Sequence, residues 1–212
     1  MYDWYMLLAL FLVFMISVFP ITLVKLGVVP RNFRFLVLFG VVLLVGVLGY
    51  WLQLGFWEYY AFSLVSFETV VWYGFMVVAA VYGLYFARFI FKTGKAHLWH
   101  KDPHFQFLFV PISFAQQFLF QGFILTILLG YFNPIVSVIV TAVLFGYLHT
   151  IYPRPVMSFF VGSIGGLLFA SVFVLHPDLL VSSVAHSILN FTAVYLGFFS
   201  FRYATPPATA RI

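Results

Sequence analysis

Residues 115–123 read Ala-Gln-Gln-Phe-Leu-Phe-Gln-Gly-Phe, and they lie inside an apolar stretch running from about residue 106 to 130. The stretch is long enough to cross a bilayer, whose hydrocarbon core takes roughly 20 apolar residues of helix. Gln116, Gln117 and Gln121 therefore sit at a depth where lipid offers no hydrogen-bonding partner. Polar side chains at membrane depth face a protein interior, where they mark a site or a packing contact. Further along, His149 closes one apolar stretch, while His186 and Asn190 stand in the middle of another. These residues point to a polar pocket between helices that contains no carboxylate.

The rest of the chain has the same character. It has 212 residues, of which 65% are hydrophobic and 7% charged. A soluble domain carries about 25% charged residues, so this chain lacks the means to cover a water-facing surface. It reads as an all-α, polytopic transmembrane bundle. With no cysteine in the chain, disulfides, thiolate metal sites and cysteine nucleophiles are excluded. The net charge of +5 is explained by topology, and nucleic acid is not an expected partner.

Seven apolar spans are expected, at about 4–25, 35–54, 66–90, 106–130, 134–151, 156–175 and 179–201. The first begins almost at Met1, has no basic residue before it and exceeds the core of a signal peptide, so it reads as a retained helix. Lys25, Arg31 and Arg34 follow the first span, and Arg88, Lys92, Lys95 and Lys101 follow the third. Arg154 follows the fifth, and Arg202 and Arg211 follow the seventh. Alternation across seven spans puts all these cations on one side. Asp3, Glu58 and Asp178 fall on the other, with Glu68 near it. Positive loops remain cytoplasmic, which predicts an external N-terminus and a cytoplasmic C-terminus. The expected setting is the bacterial inner membrane.

The organisation expected is three N-terminal helices with a basic segment over 1–104, a four-helix core over 105–203 and a tail over 204–212. Gly162 and Gly166 form a small-xxx-small pair suited to close helix packing. The sequon-like Asn190-Phe191-Thr192 lies within a span and is no glycosylation site there. His97, His100 and His104 fall in a basic segment before the fourth span, and Pro103 interrupts any helical face they share. They read as part of an aromatic-anchored segment in the headgroups; the alternative is a ligand set for a metal, haem or pigment.

Helix geometry groups the polar residues. Gln117 and Gln121 are four apart and stack on one face, which Ser113 extends by a turn; Gln116 is turned about 100° away. His186 and Asn190 form a second two-residue stripe. The predicted topology lets both stripes and His149 meet between the midplane and the cytoplasmic side.

In order and spacing these residues resemble the CPBP family of intramembrane proteases, which includes the CAAX prenyl endopeptidases and bacteriocin-processing proteins. Its pattern is Glu-Glu-x-x-x-Arg, then Phe-x-x-x-His, then His-x-x-x-Asn or Asp. Phe145 and His149 meet the second motif, and His186 and Asn190 the third. The first is in frame as Gln116-Gln117-x-x-x-Gln121, followed by Gly122. The resemblance implies that the first acid activates the hydrolytic water, while the His and Asn residues support water and oxyanion. Gln116 stands at that first position, and an amide accepts no proton at physiological pH. Loss of a general base typically costs about 10²–10⁴-fold in rate. Gln117 and Gln121 replace the remaining acid and Arg by neutral amides of similar shape, so amide hydrogen bonds are expected to hold the same helices.

Only five carboxylates exist: Asp3, Glu58, Glu68, Asp102 and Asp178. Glu68 alone lies within a span, and topology puts it near the outer face, away from the histidines. No cofactor is expected, because His149 and His186 with Asn190 lack the anionic ligand common in catalytic zinc sites. The reading preferred from sequence is an inactive CPBP-like scaffold. It would bind lipid, a hydrophobic ligand, a partner helix or other membrane subunits. The alternatives are an active CAAX-type peptidase using His149, His186 and Asn190, and a pigment- or haem-carrying subunit.

Overall fold

The computed structural model describes residues 2–30, 33–51, 65–91, 103–152 and 154–198. Every regular element among them is helical. In chain order these are α1 (Tyr2–Ser17), α2 (Phe19–Lys25), α3 (Arg34–Trp51), α4 (Phe67–Phe91) and α5 (Pro103–Gln117). A π-helical segment, Phe118–Leu125, continues α5 into α6 (Thr126–Tyr131). The remaining helices are α7 (Pro134–His149), α8 (Pro155–Leu175) and α9 (Leu179–Tyr195).

Each of the seven expected apolar spans corresponds to one helical rod. Four of the rods are long and apolar enough to cross a membrane: Met6–Lys25, Phe67–Ile90, Leu108–Tyr131 and Pro155–Leu175. Leu36–Val47, Pro134–His149 and Leu179–Tyr195 are apolar but shorter. The starts of α7 and α9 are encoded locally. Asn133 and Asp178 accept hydrogen bonds from the backbone N–H of Val136 (3.0 Å) and Val181 (2.9 Å). Each thereby satisfies a donor that a helix N-terminus leaves open.

The fourth rod is the axis of the bundle. Within Leu108–Tyr131, 78% of the most apolar window is buried, against 11% for the α4 rod. A helix apolar on every side belongs in the centre of its bundle, and Phe118, Leu119, Phe120, Phe123, Ile124 and Leu125 are all buried there. Helices α3, α7, α8 and α9 surround this rod, and α4 packs outside on α9 and α8.

The most extensive helix contact joins α7 to α8. Glycine makes it possible. A Cβ on Gly162 would stand 2.9 Å from His149 Cγ, and one on Gly166 would stand 2.9 Å from Phe145 Cβ and 3.0 Å from Ala142 Cα. Gly146 on the facing helix is as tightly enclosed by Ser163 and the Phe159 carbonyl. The expected small-residue packing is thus present, and α7 contributes to it as well as α8.

Contacts between helix ends agree with alternating topology. Lys25, at the end of α2, lies 4.4 Å from the centroid of the Tyr147 ring at the end of α7. Nearby, Thr22 and Tyr147 hydroxyls are 3.1 Å apart. At the other end Glu68, which opens α4, lies 4.0 Å from His176 at the close of α8. Trp72 stacks on that imidazole, with ring centroids 5.5 Å apart.

Candidate functional site

Ser113, Gln117, His149, Ser182, His186 and Asn190 come together from three helices. The spacing Ser182-x-x-x-His186-x-x-x-Asn190 puts three polar side chains on one face of α9, and that face meets α5. Gln117 is fully buried and bridges the two helices. Its amide nitrogen lies 2.9 Å from His186 Nδ1, and its carbonyl oxygen accepts from Ser182 Oγ at 2.6 Å. One turn away, Asn190 Nδ2 donates to Ser113 Oγ at 3.0 Å.

The network assigns the protons of the two imidazoles. Ser182 donates to Oε1 of Gln117, so the amide NH₂ faces His186. An amide nitrogen only donates, which makes His186 Nδ1 the acceptor and places the proton of the neutral ring on Nε2. His149 has the opposite tautomer. Its Nδ1 is 2.8 Å from the Phe145 carbonyl, which only accepts, so Nδ1 carries the hydrogen and Nε2 is the basic nitrogen.

Phe145 holds both rings. Its centroid is 4.8 Å from that of His149 and 5.5 Å from that of His186. Phe120 on the π-helical segment meets Phe145 edge-on at 5.0 Å, and Phe169 of α8 lies 5.1 Å from His186. Gly162 lets α8 close over the His149 ring. The two histidines of the separate motifs therefore share one aromatic neighbour.

A cavity of about 340 Å³ opens beside them between α4, α8 and α9. Its polar side chains are His149, His186 and Asn190, and the rest of its wall is apolar. Helix α4 supplies Leu84 and the small residues Ala79, Ala80, Gly83 and Ala87. These residues escaped the reading from sequence. Their signal is a run of small residues, about one turn apart, in a helix otherwise rich in aromatics.

Gln116 does not line this cavity. It is buried with its carbonyl oxygen unpaired among the described residues. Gln121 is also buried, and neither of its amide atoms has a partner there. Among the described residues the expected bonding of helices by both Gln117 and Gln121 is thus carried by Gln117. The physical reason is the π-helix, in which bonds run from i to i+5, so a residue four along is no longer stacked above its predecessor.

The two described carboxylates, Glu68 and Asp178, stand apart from the cavity. Glu68 is exposed and pairs at the far end of α4 with His176. Asp178 is buried as the N-cap of α9. Glu58, Asp102, His97 and His100 fall outside the described residues, as do the side chains of Asp3 and His104. Among the described residues no three His, Cys, Asp or Glu side chains converge as a metal-ligand group.

Residues 103–192 match the family described as Rce1-like, type II CAAX prenyl endopeptidase. That segment runs from the start of α5 nearly to the end of α9 and contains every residue of the polar network above. Over that segment the chain is similar to the CAAX prenyl endopeptidases, and its long apolar helices are those of an integral membrane protein. No curated protein and no solved structure matches it.

Proposed function

We propose that this protein is a non-hydrolytic relative of the CAAX endopeptidases that binds a hydrophobic ligand in the cavity beside His149 and His186. One observation carries the reading. Gln116, at the position where the family motif has its water-activating acid, is a neutral amide and is not part of the cavity wall. Hydrolysis needs a general base within hydrogen-bonding reach of its water, and no described carboxylate lines the space. The charge distribution supports an external N-terminus and a cytoplasmic C-terminus, and the bacterial inner membrane is the setting proposed with it. The aromatic exterior of α4, with Phe75, Tyr82, Phe86 and Phe89 exposed, suits an accessory role in a larger membrane complex.

The test is extraction from the native membrane in mild detergent, followed by mass spectrometry of the companions and an absorption spectrum. A stoichiometric membrane partner is the expected result. A lone, colourless protein would contradict the accessory role, and an absorption band lost with a histidine would favour a cofactor carrier.

A second reading, a peptidase, rests on the tautomers. His149 offers a basic Nε2, and His186 carries its proton on the equivalent nitrogen. This pairs an acceptor with a donor at one cavity wall. On that reading His149→Ala or His186→Ala abolishes function while insertion stays normal.

A further inference from the structure

The cavity beside the histidines continues into a second one. A space of about 590 Å³ lies between α4 and the start of α8, and it shares Ala87, Val161 and Ile164 with the first. Together they form a cleft between α4 and α8 that runs from His149 and His186 to Arg154.

The cleft is a wedge, closed at one end. In the first half of α4, Tyr73 and Met76 are buried in one cluster with Phe169, Ala185 and Leu189 and do not line the cleft. Beyond them the α4 residues lining the cleft are small, Ala79, Ala80, Gly83 and Ala87, with Leu84 the one larger side chain. At the closed end Glu68 lies 4.0 Å from His176, and Trp72 stacks on the same ring. A partner helix spanning both leaflets would need the gap open throughout, so it does not fit.

Length and charge identify what does. From Arg154 to Gly165 the helix rises about 16 Å at 1.5 Å per residue. One leaflet of a bilayer core of about 30 Å has nearly that depth. Among the described residues Arg154 is the one charged residue lining either space. It is exposed at the start of α8, and Arg88 directly follows the lining residue Ala87. The three polar side chains deep in the cleft each place a hydrogen-bonding group against the protein, on Gln117, Phe145 and Ser113. An apolar chain one leaflet long, ending in an anionic group at headgroup level, meets all of these conditions.

We propose that an anionic membrane phospholipid occupies this cleft, with one acyl chain between α4 and α8 and its phosphate on Arg154. The inference rests on the reading of the cavity as a ligand site and supplies the class of ligand.

The experiment uses the full chain in mild detergent, titrated with dioleoyl phosphatidylglycerol or dioleoyl phosphatidylcholine and read by native mass spectrometry. Phosphatidylglycerol is expected to bind about tenfold more tightly, which is the worth of one charged contact of about 1.4 kcal/mol. Arg154→Gln should remove that preference and leave binding of phosphatidylcholine unchanged. Ala87→Leu should weaken both lipids at least tenfold; Ala87→Ser, which keeps the space, should not, and an unaltered melting temperature shows each variant folded. Equal binding of the two lipids by the unaltered protein overturns the proposal, as does a preference that persists in Arg154→Gln. Glycerol 3-phosphate competing as well as the intact lipid would also overturn it, by reducing the site to a headgroup patch. If both lipids bind equally and Ala87→Leu blocks both, the lipid assignment falls while the ligand cavity stands. Lipid binding as described, accompanied by peptide hydrolysis, leaves the inference standing and removes the non-hydrolytic reading.

Discussion

Gly162 fixes where the His149 ring lies, because any Cβ there would stand 2.9 Å from both Cγ and Nδ1 of that ring. Gly162→Ala is therefore expected to push the imidazole from its bond to the Phe145 carbonyl and to cost about 1–3 kcal/mol, as overpacking of a tight interior does. Gly165→Ala is its control. A Cβ there meets nothing within 4 Å, and replacing a mid-helix glycine by alanine gains roughly 0.5–1 kcal/mol. Thermal melting in mild detergent should separate the two variants in opposite directions. Equal losses would mean that the close approach of α7 and α8 does not depend on Gly162.

The two glutamines of the central rod make opposite predictions at the level of the element. Gln117 joins α5 to α9 through Ser182 and His186. Gln117→Leu leaves buried polar partners unsatisfied and should cost about 1–3 kcal/mol. Gln121 makes no hydrogen bond through its side chain among the described residues. Gln121→Leu removes two buried polar atoms and should be neutral or stabilising on the same melting assay, and a loss matching that of Gln117→Leu would contradict this account. The sequence shows why one half of this contrast was foreseeable. Spacings of four placed Gln117 beside the α9 stripe, and that register holds because α5 and α9 are regular helices over those residues. The π-helical turn from Phe118 to Leu125 has no such signature, so the departure of Gln121 from the network was not legible. The α4 wall was missed for a different reason. A run of alanines and one glycine specifies a close approach or a gap equally well, and only the neighbouring helix decides which.

At the scale of the whole molecule the charge pattern and the helix ends tell one story. Lys25 meets the end of α7, and Glu68 meets the end of α8, so basic and acidic ends are segregated across the bundle. Since the chain contains no cysteine, single substitutions report side directly. Glu68→Cys should react with a membrane-impermeant maleimide in intact cells, and Lys25→Cys only after permeabilisation. The reverse labelling would invert the proposed topology. The number of rods and the polar stripes could be read from the chain because lipid forces apolar runs and penalises every polar exception. What fills the cleft between α4 and α8 could not, since it depends on packing between segments far apart in sequence.

The central claim is that the scaffold of a protease persists here without its chemistry. It is tested most directly by reconstituting the purified protein in liposomes and measuring hydrolysis of a library of quenched fluorescent peptides. His149→Ala and His186→Ala proteins serve as comparisons. The account predicts no cleavage by the unaltered protein above that of either variant. Turnover that disappears in both variants, while they remain folded and inserted, would contradict it.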